Sequence, residues 1–202
     1  MHLIALVGAD GMGKSTQARR LTDRLLAAGR RARVVRPVFL LFDPWRIRGN
    51  GEAIRSVSPR SLRMGGPRRT GALRSFVGYV YAVLSYAYMR AFLRGDEFVV
   101  CDRYFYQYFY DLAGRAAPRL ARAFPRPDVI VWLDGGMELL MSRIDRAPLD
   151  PGEREYFKQV LDFYRVLAGE LGFVRVDASA DERVVGERIW DVLMREVRPR
   201  AG

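Results

Sequence analysis

Gly8, Gly13, Lys14 and Ser15 stand in the spacing G-x-x-x-x-G-K-S, directly after the apolar run LIALV and before a helix-forming stretch. Small residues let a strand-to-helix turn curl so that several backbone N–H groups point inward, and the helix N-terminus adds its dipole. In such a loop the lysine reaches the β- and γ-phosphates of a triphosphate, and the serine hydroxyl ligates Mg²⁺. Gly8, Asp10, Gly11, Met12, Gly13, Lys14, Ser15 and Thr16 are therefore the expected nucleotide-holding residues, with the Thr16 hydroxyl near the α-phosphate. A second acidic element lies in FVVCDRY, residues 98–104, an apolar strand ending in Asp102. A carboxylate there can face the cradle and hold a metal's water shell or orient an acceptor. Arg103 beside it can clamp a transferring or receiving phosphate.

The composition sharpens the role of Lys14. The 202 residues include 34 basic side chains, of which only Lys14 and Lys158 are lysines, and the formal net charge is +11. Where arginine has displaced lysine so broadly, a surviving ammonium marks a place where a compact cation is required, and the fold of a phosphate under the loop is such a place. The charge suits polyanionic ligands such as nucleotides, nucleic acid or an anionic membrane. No nucleic-acid module and no Asn-Lys-x-Asp guanine motif is present, so no nucleic-acid partner is expected. The single cysteine, Cys101, excludes an internal disulfide and reads as a buried, inert thiol. The N-terminus shows no signal-peptide pattern, and a cytoplasmic location is the expectation.

Elements alternate along the chain. Strands are expected at His2–Val7, Arg33–Val38, Phe98–Cys101, Val129–Leu133 and Phe173–Val176. The first helix runs over Lys14–Ala28 and stops at Gly29. Residues 75–93 carry one charge, Arg90, and read as a long buried or half-buried helix rather than a span, so membrane contact is not expected. Apolar residues at 157, 160, 161, 164, 167, 168 and 171 form a helical face, and Ser179 with Glu182 suggests a capping box before a last helix. This order predicts a single α/β domain with a five-stranded parallel sheet, helices on both faces and ligands beyond the carboxyl ends of the strands. Residues 39–74, rich in arginine and glycine, break the rhythm; they are either a disordered insertion or a substrate-closing segment.

Four stretches together resemble the thymidylate kinase family of P-loop nucleoside monophosphate kinases: GADGMGKSTQ at 8–17, DRY at 102–104, PDVIVWLDGGMELLMSRI at 127–144 and VDAS at 176–179. The resemblance implies a P-loop kinase fold that uses ATP and Mg²⁺. It implies that Asp10 sits near the acceptor's sugar at a 3′-hydroxyl, that Asp102 organises the metal and acceptor, and that Arg103 holds the acceptor phosphate. Arg143, Arg146 and Arg154, in a lid spanning about 143–154, would face the ATP phosphates, and Ala178 and Ser179 would lie against adenine. A homodimer fits this picture. The acceptor side departs from the family pattern. Arg36-Pro37 lacks the intervening Glu, Phe76 is followed by Val80 where an Arg is usual, and FYQYFYD replaces the serine, alanine and glutamine positions after DRY. Tyr104, Tyr106, Gln107, Tyr108 and Tyr110 either stack on a substrate or pack a helix. The expected reaction is phosphoryl transfer from ATP to a nucleoside monophosphate, thymidylate by default; the alternative is another small acceptor such as a nucleoside or sugar.

Overall fold

The protein is described by a computed structural model covering residues 1–40, 72–143 and 150–197. Five strands, β1 (His2–Val7), β2 (Ala32–Val35), β3 (Phe98–Asp102), β4 (Val129–Asp134) and β5 (Val174–Asp177), form one sheet in the order β2-β3-β1-β4-β5. Every pairing is parallel. Parallel strands need helices over both faces, which is why β1, β3 and β4 read as unbroken apolar runs rather than alternating ones. Leu3 to Val7 and Phe98 to Cys101 are all buried.

Helix α1 (Lys14–Ala27) packs against the sheet together with α7 (Glu182–Glu196). The second packed group holds α2 (Ala72–Phe92), α3 (Phe105–Ala113), α4 (Ala117–Ala123) and α6 (Pro151–Leu171). Rings of Tyr79, Tyr86, Tyr104, Phe105 and Phe109 meet around Phe124. A short α5 (Gly136–Arg143) follows β4. The chain leaves β1 toward β2 on one side and reaches β4 on the other, so the topological switch lies at the carboxyl end of β1. Loops beyond that edge are where an open α/β sheet holds ligands.

Several sequence expectations shift. The second strand stops at Val35, because Pro37 has no N–H for a ladder and instead opens a 3₁₀ turn over Pro37–Phe39. The last strand starts and ends one residue later than expected, at Val174–Asp177. Asp181, not Ser179, caps α7 by accepting from the Arg183 N–H; Ser179 donates to the Asp177 carboxylate at 2.6 Å. The capping box lies instead on α6, between Asp150 and Glu153. Helix α2 is half-buried: Gly78, Ala82, Ser85 and Met89 face inward, while Phe76, Val77, Val80 and Leu84 are exposed. Among the described residues no helix is long and apolar enough to cross a membrane. Most of 39–74 (residues 41–71), together with Arg146, lies outside the described residues.

Candidate active site

The loop after β1 takes its shape from two glycines. Gly8 has φ 137°, and a Cβ there would overlap the Leu133 carbonyl oxygen of β4. Gly13 caps α1 with φ 81°, a left-handed conformation that ordinary side chains resist. Below the loop, Tyr164 of α6 is buried, and the Gly8 backbone acts on its hydroxyl. This turn is therefore fixed by the sheet and by the helix start.

Lys14 is 4% exposed, and its ammonium donates to the carbonyls of Gly8 at 2.8 Å and Ala9 at 2.5 Å. Asp10 lies 3.5 Å away. Burial lowers the Lys14 pKa to about 8, with Asp10 opposing the drop. A cation held this close to neutral by desolvation gains most when an anion arrives. Met12 packs inward, whereas Gly11 and Thr16 are exposed.

Arg103 is the one described non-glycine residue at positive φ, 74°. Its N–H donates to the Leu6 carbonyl, so the chain turns sharply as β3 ends, and the guanidinium reaches Asp10 at 2.9 Å. Burial pushes the Asp10 carboxyl up, but Lys14 and Arg103 together outweigh it and hold the group below the ordinary range. Strained backbone of this kind persists only where its surroundings over-determine it.

Asp102 is 1% exposed, and its Oδ2 accepts from Arg36 Nε at 2.6 Å. The same guanidinium donates to Ser15 Oγ at 2.7 Å. Arg36 thus bridges the two side chains expected at the metal. The other carboxylate oxygen, Asp102 Oδ1, is buried without a partner. A hydroxyl and an orphaned carboxylate oxygen beside a phosphate loop suit Mg²⁺, which takes few protein ligands and completes its shell with water and phosphate oxygens. No set of three His, Cys, Asp or Glu residues forms a protein-only metal cage among the described residues.

On the far side of the loop, Arg143 at the end of α5 donates to the carbonyls of Ala178 at 3.0 Å and Gly11 at 3.5 Å. It ties the phosphate loop to the turn after β5, where Ala178 is buried and Ser179 exposed. Arg154 is exposed on α6, and its side chain makes no hydrogen bond or ion pair among the described residues. Cys101 is buried, and its thiol is pushed up by burial, away from reactivity.

Comparison with known proteins decides the family. No protein-family model matches the chain. It is 34% identical over 186 residues to the thymidylate kinase of Xanthomonas oryzae pv. oryzae, covering 89% of this chain and 77% of that protein. The chain belongs to the thymidylate kinase family. The thymidylate kinase of Bradyrhizobium diazoefficiens is 29% identical over 219 residues, 98% of this chain and 91% of its own. The probable thymidylate kinase 1 of Saccharolobus solfataricus is 27% identical over 114 residues, covering 52% and 59%. As a member of the thymidylate kinase family, the protein is an ATP-dependent kinase.

Three side chains near the site had no role in the sequence reading. Arg36 figured only as a departure from the family pattern. Its signal was an arginine placed directly after a strand that neighbours β3 and directly before Pro37. Asp111 was hidden in an aromatic helix, although a carboxylate among Phe and Tyr residues is itself a signal. Tyr156 donates to Asp111 Oδ1 at 2.6 Å from α6, 45 residues away in sequence, and no local spacing announces that. The tyrosines after Asp102 divide. Tyr104 and Tyr106 are buried in the core, Tyr108 donates to the Gly78 carbonyl, and Tyr110 donates to Gln159.

Proposed function

We propose that this kinase moves the γ-phosphoryl group of ATP to a nucleoside monophosphate, with thymidylate the first acceptor to try. The observation that carries the reading is the convergence of three charged sets at one sheet edge: buried Lys14, the Asp10–Arg103 pair and the Ser15–Arg36–Asp102 bridge. A triphosphate in the loop meets the backbone N–H groups of 8–15 and the Lys14 ammonium. Arg143 completes the charge balance from the lid side, with Arg146 and Arg154 as further lid cations. Ala178 and Ser179 flank the adenine.

Ser15 and Asp102 would hold Mg²⁺, which neutralises charge on the β- and γ-phosphate oxygens when bound. Asp10 would take a sugar hydroxyl, and Arg103 the acceptor's phosphate, so the pair that joins them becomes a ruler between sugar and phosphate. Positioned cations suffice here, because phosphoryl transfer asks the protein mainly for orientation and charge stabilisation. The working form is a homodimer in this proposal, supported by the exposed apolar strip of Leu73, Phe76, Val77, Val80 and Leu84 on α2.

ADP release from Mg·ATP, measured against a panel of nucleoside monophosphates, tests the reading. Turnover that requires a nucleoside monophosphate is the expected result. Folded protein that binds Mg·ATP yet transfers to none of them would overturn it.

A further inference from the structure

We propose that Asp111, with Tyr156 and Gln107, reads a second hydroxyl on the acceptor's sugar, so that the chain prefers ribonucleoside over deoxyribonucleoside monophosphates. The inference rests on the nucleoside monophosphate reading and narrows its acceptor.

Gln107 and Asp111 are four residues apart on α3 and share a helical face. That face begins just after Arg103 and runs toward α6. Asp111 lies eight residues after Arg103 on the helix that the Arg103 turn leads into, and the charges of Asp10 and Arg103 both act on its carboxyl, so it belongs to the acceptor side of the site. Asp10 is the group that takes the first sugar hydroxyl in the proposed function. A second carboxylate in the same neighbourhood calls for a second donor beside the first, and a vicinal diol supplies one.

The hydrogen bonds point the same way. Tyr156 spends its only proton on Asp111 Oδ1 at 2.6 Å, and its oxygen receives Gln107 Nε2 at 3.4 Å. Asp111 Oδ2 then has no donor among the described residues. Gln107 is 8% exposed, and its Oε1 is buried with no partner at all. Two acceptor oxygens on this helical face are left without a donor: Gln107 Oε1, which is buried, and Asp111 Oδ2, on a half-buried side chain. A buried acceptor without a donor is costly, and a ligand hydroxyl that satisfies Gln107 Oε1 gains that cost back as affinity, with the Asp111 carboxylate on the same helical face as a charged acceptor. Packing alone would favour an apolar residue at 111, in keeping with Phe105 and Phe109 on the same helix. Burial pushes the Asp111 carboxyl up to about 6, so at neutral pH it remains mostly an anionic acceptor.

Thymidylate offers one sugar hydroxyl, which Asp10 claims; a ribonucleotide offers two. A site built to bond a hydroxyl discriminates against the analogue that lacks it more strongly than an apolar pocket can. The test compares matched pairs at saturating Mg·ATP: UMP with dUMP, and ribothymidine monophosphate with dTMP. The ribo member is expected to have the higher kcat/KM by about tenfold or more, the range of one hydrogen bond to a charged group. In Asp111→Asn, which keeps the shape, and in Asp111→Leu, that ratio falls toward one while KM for ATP stays put. Tyr156→Phe shifts it in the same direction.

Equal use of both members by the native protein, or an unchanged ratio in Asp111→Asn, would overturn the inference and leave the kinase reading intact. A preference that follows the exocyclic amine of the base, with CMP and dCMP favoured alike over UMP and dUMP, also overturns it. No transfer to any nucleoside monophosphate removes both readings together.

Discussion

The donor side and the acceptor side of this site are built in different ways. In the proposed function the phosphates of the donor are held mainly by one continuous stretch, residues 8–16, whose backbone would supply the ligating groups and whose glycines fix its path. The acceptor would be held by side chains on α3, α6, the turn at Arg103 and Asp10 of the loop, elements that meet only when the chain has folded. A cradle of amides accepts any triphosphate and changes little with the side chains around it. A pocket of side chains can be rebuilt one residue at a time. The contrast explains how a chain can keep the family's phosphate loop and yet depart from its pattern after DRY.

Substitutions can sharpen that contrast, beginning with the loop. Lys14→Met is expected to lower kcat by on the order of 10³-fold, since a positioned cation of this kind contributes several kcal/mol at the transition state. Its melting temperature should not fall, because burying the ammonium is itself costly to the unliganded fold. A thermal melt beside the activity assay checks both; a large stability loss would mean that Lys14 chiefly holds the loop together. Asp102→Asn is expected to cut kcat by about 100-fold while KM for ATP moves much less. An equal loss in ATP affinity would place Asp102 in binding rather than transfer.

The pH profile gives a third result. With Lys14 titrating at about 8 in the free protein, kcat/KM for ATP should fall roughly tenfold between pH 7 and pH 9. The stability of the unliganded protein runs the other way. Between about 8 and 10.5 the unfolded chain binds the Lys14 proton and the folded one does not, so stability rises with pH across that window. Loss of activity with a concurrent rise in melting temperature would separate titration of the site from unfolding. Tyr164→Phe is the mildest change. It removes a buried hydroxyl on which the Gly8 backbone acts and is expected to cost about 1 kcal/mol of stability, read from a denaturant midpoint, with only a few-fold effect on kcat.

The same division decided what could be read in advance. Strands β1, β3 and β4 were plain in the sequence because buried parallel strands are apolar throughout, and the phosphate loop was plain because its spacing is local. The end of β2 was misplaced because Val38 extends the apolar run past Pro37, where the backbone cannot stay in the ladder. The cap of α7 was assigned to Ser179 because DASAD offers three cap-competent residues within five positions. The Asp177 carboxylate engages Ser179 and leaves Asp181 to the helix. Asp111 and Arg36 stayed hidden for a different reason. Each acts through a partner far away in sequence, Tyr156 and Asp102, and no periodicity encodes such meetings.

Arg36 has one more implication. The protein carries its own counter-ion on a tether, a guanidinium that neutralises Asp102 and engages the Ser15 hydroxyl from within. Free divalent ions must compete with a rival that is always present at high effective concentration, so they should occupy the place weakly until a polyphosphate arrives with its own negative charge. If a metal took that place, the guanidinium would be freed toward the same crowd of oxygens. Loading the nucleotide would thereby hand the enzyme an additional mobile cation at the moment it is useful, and the order in which substrates enter would follow from charge balance alone.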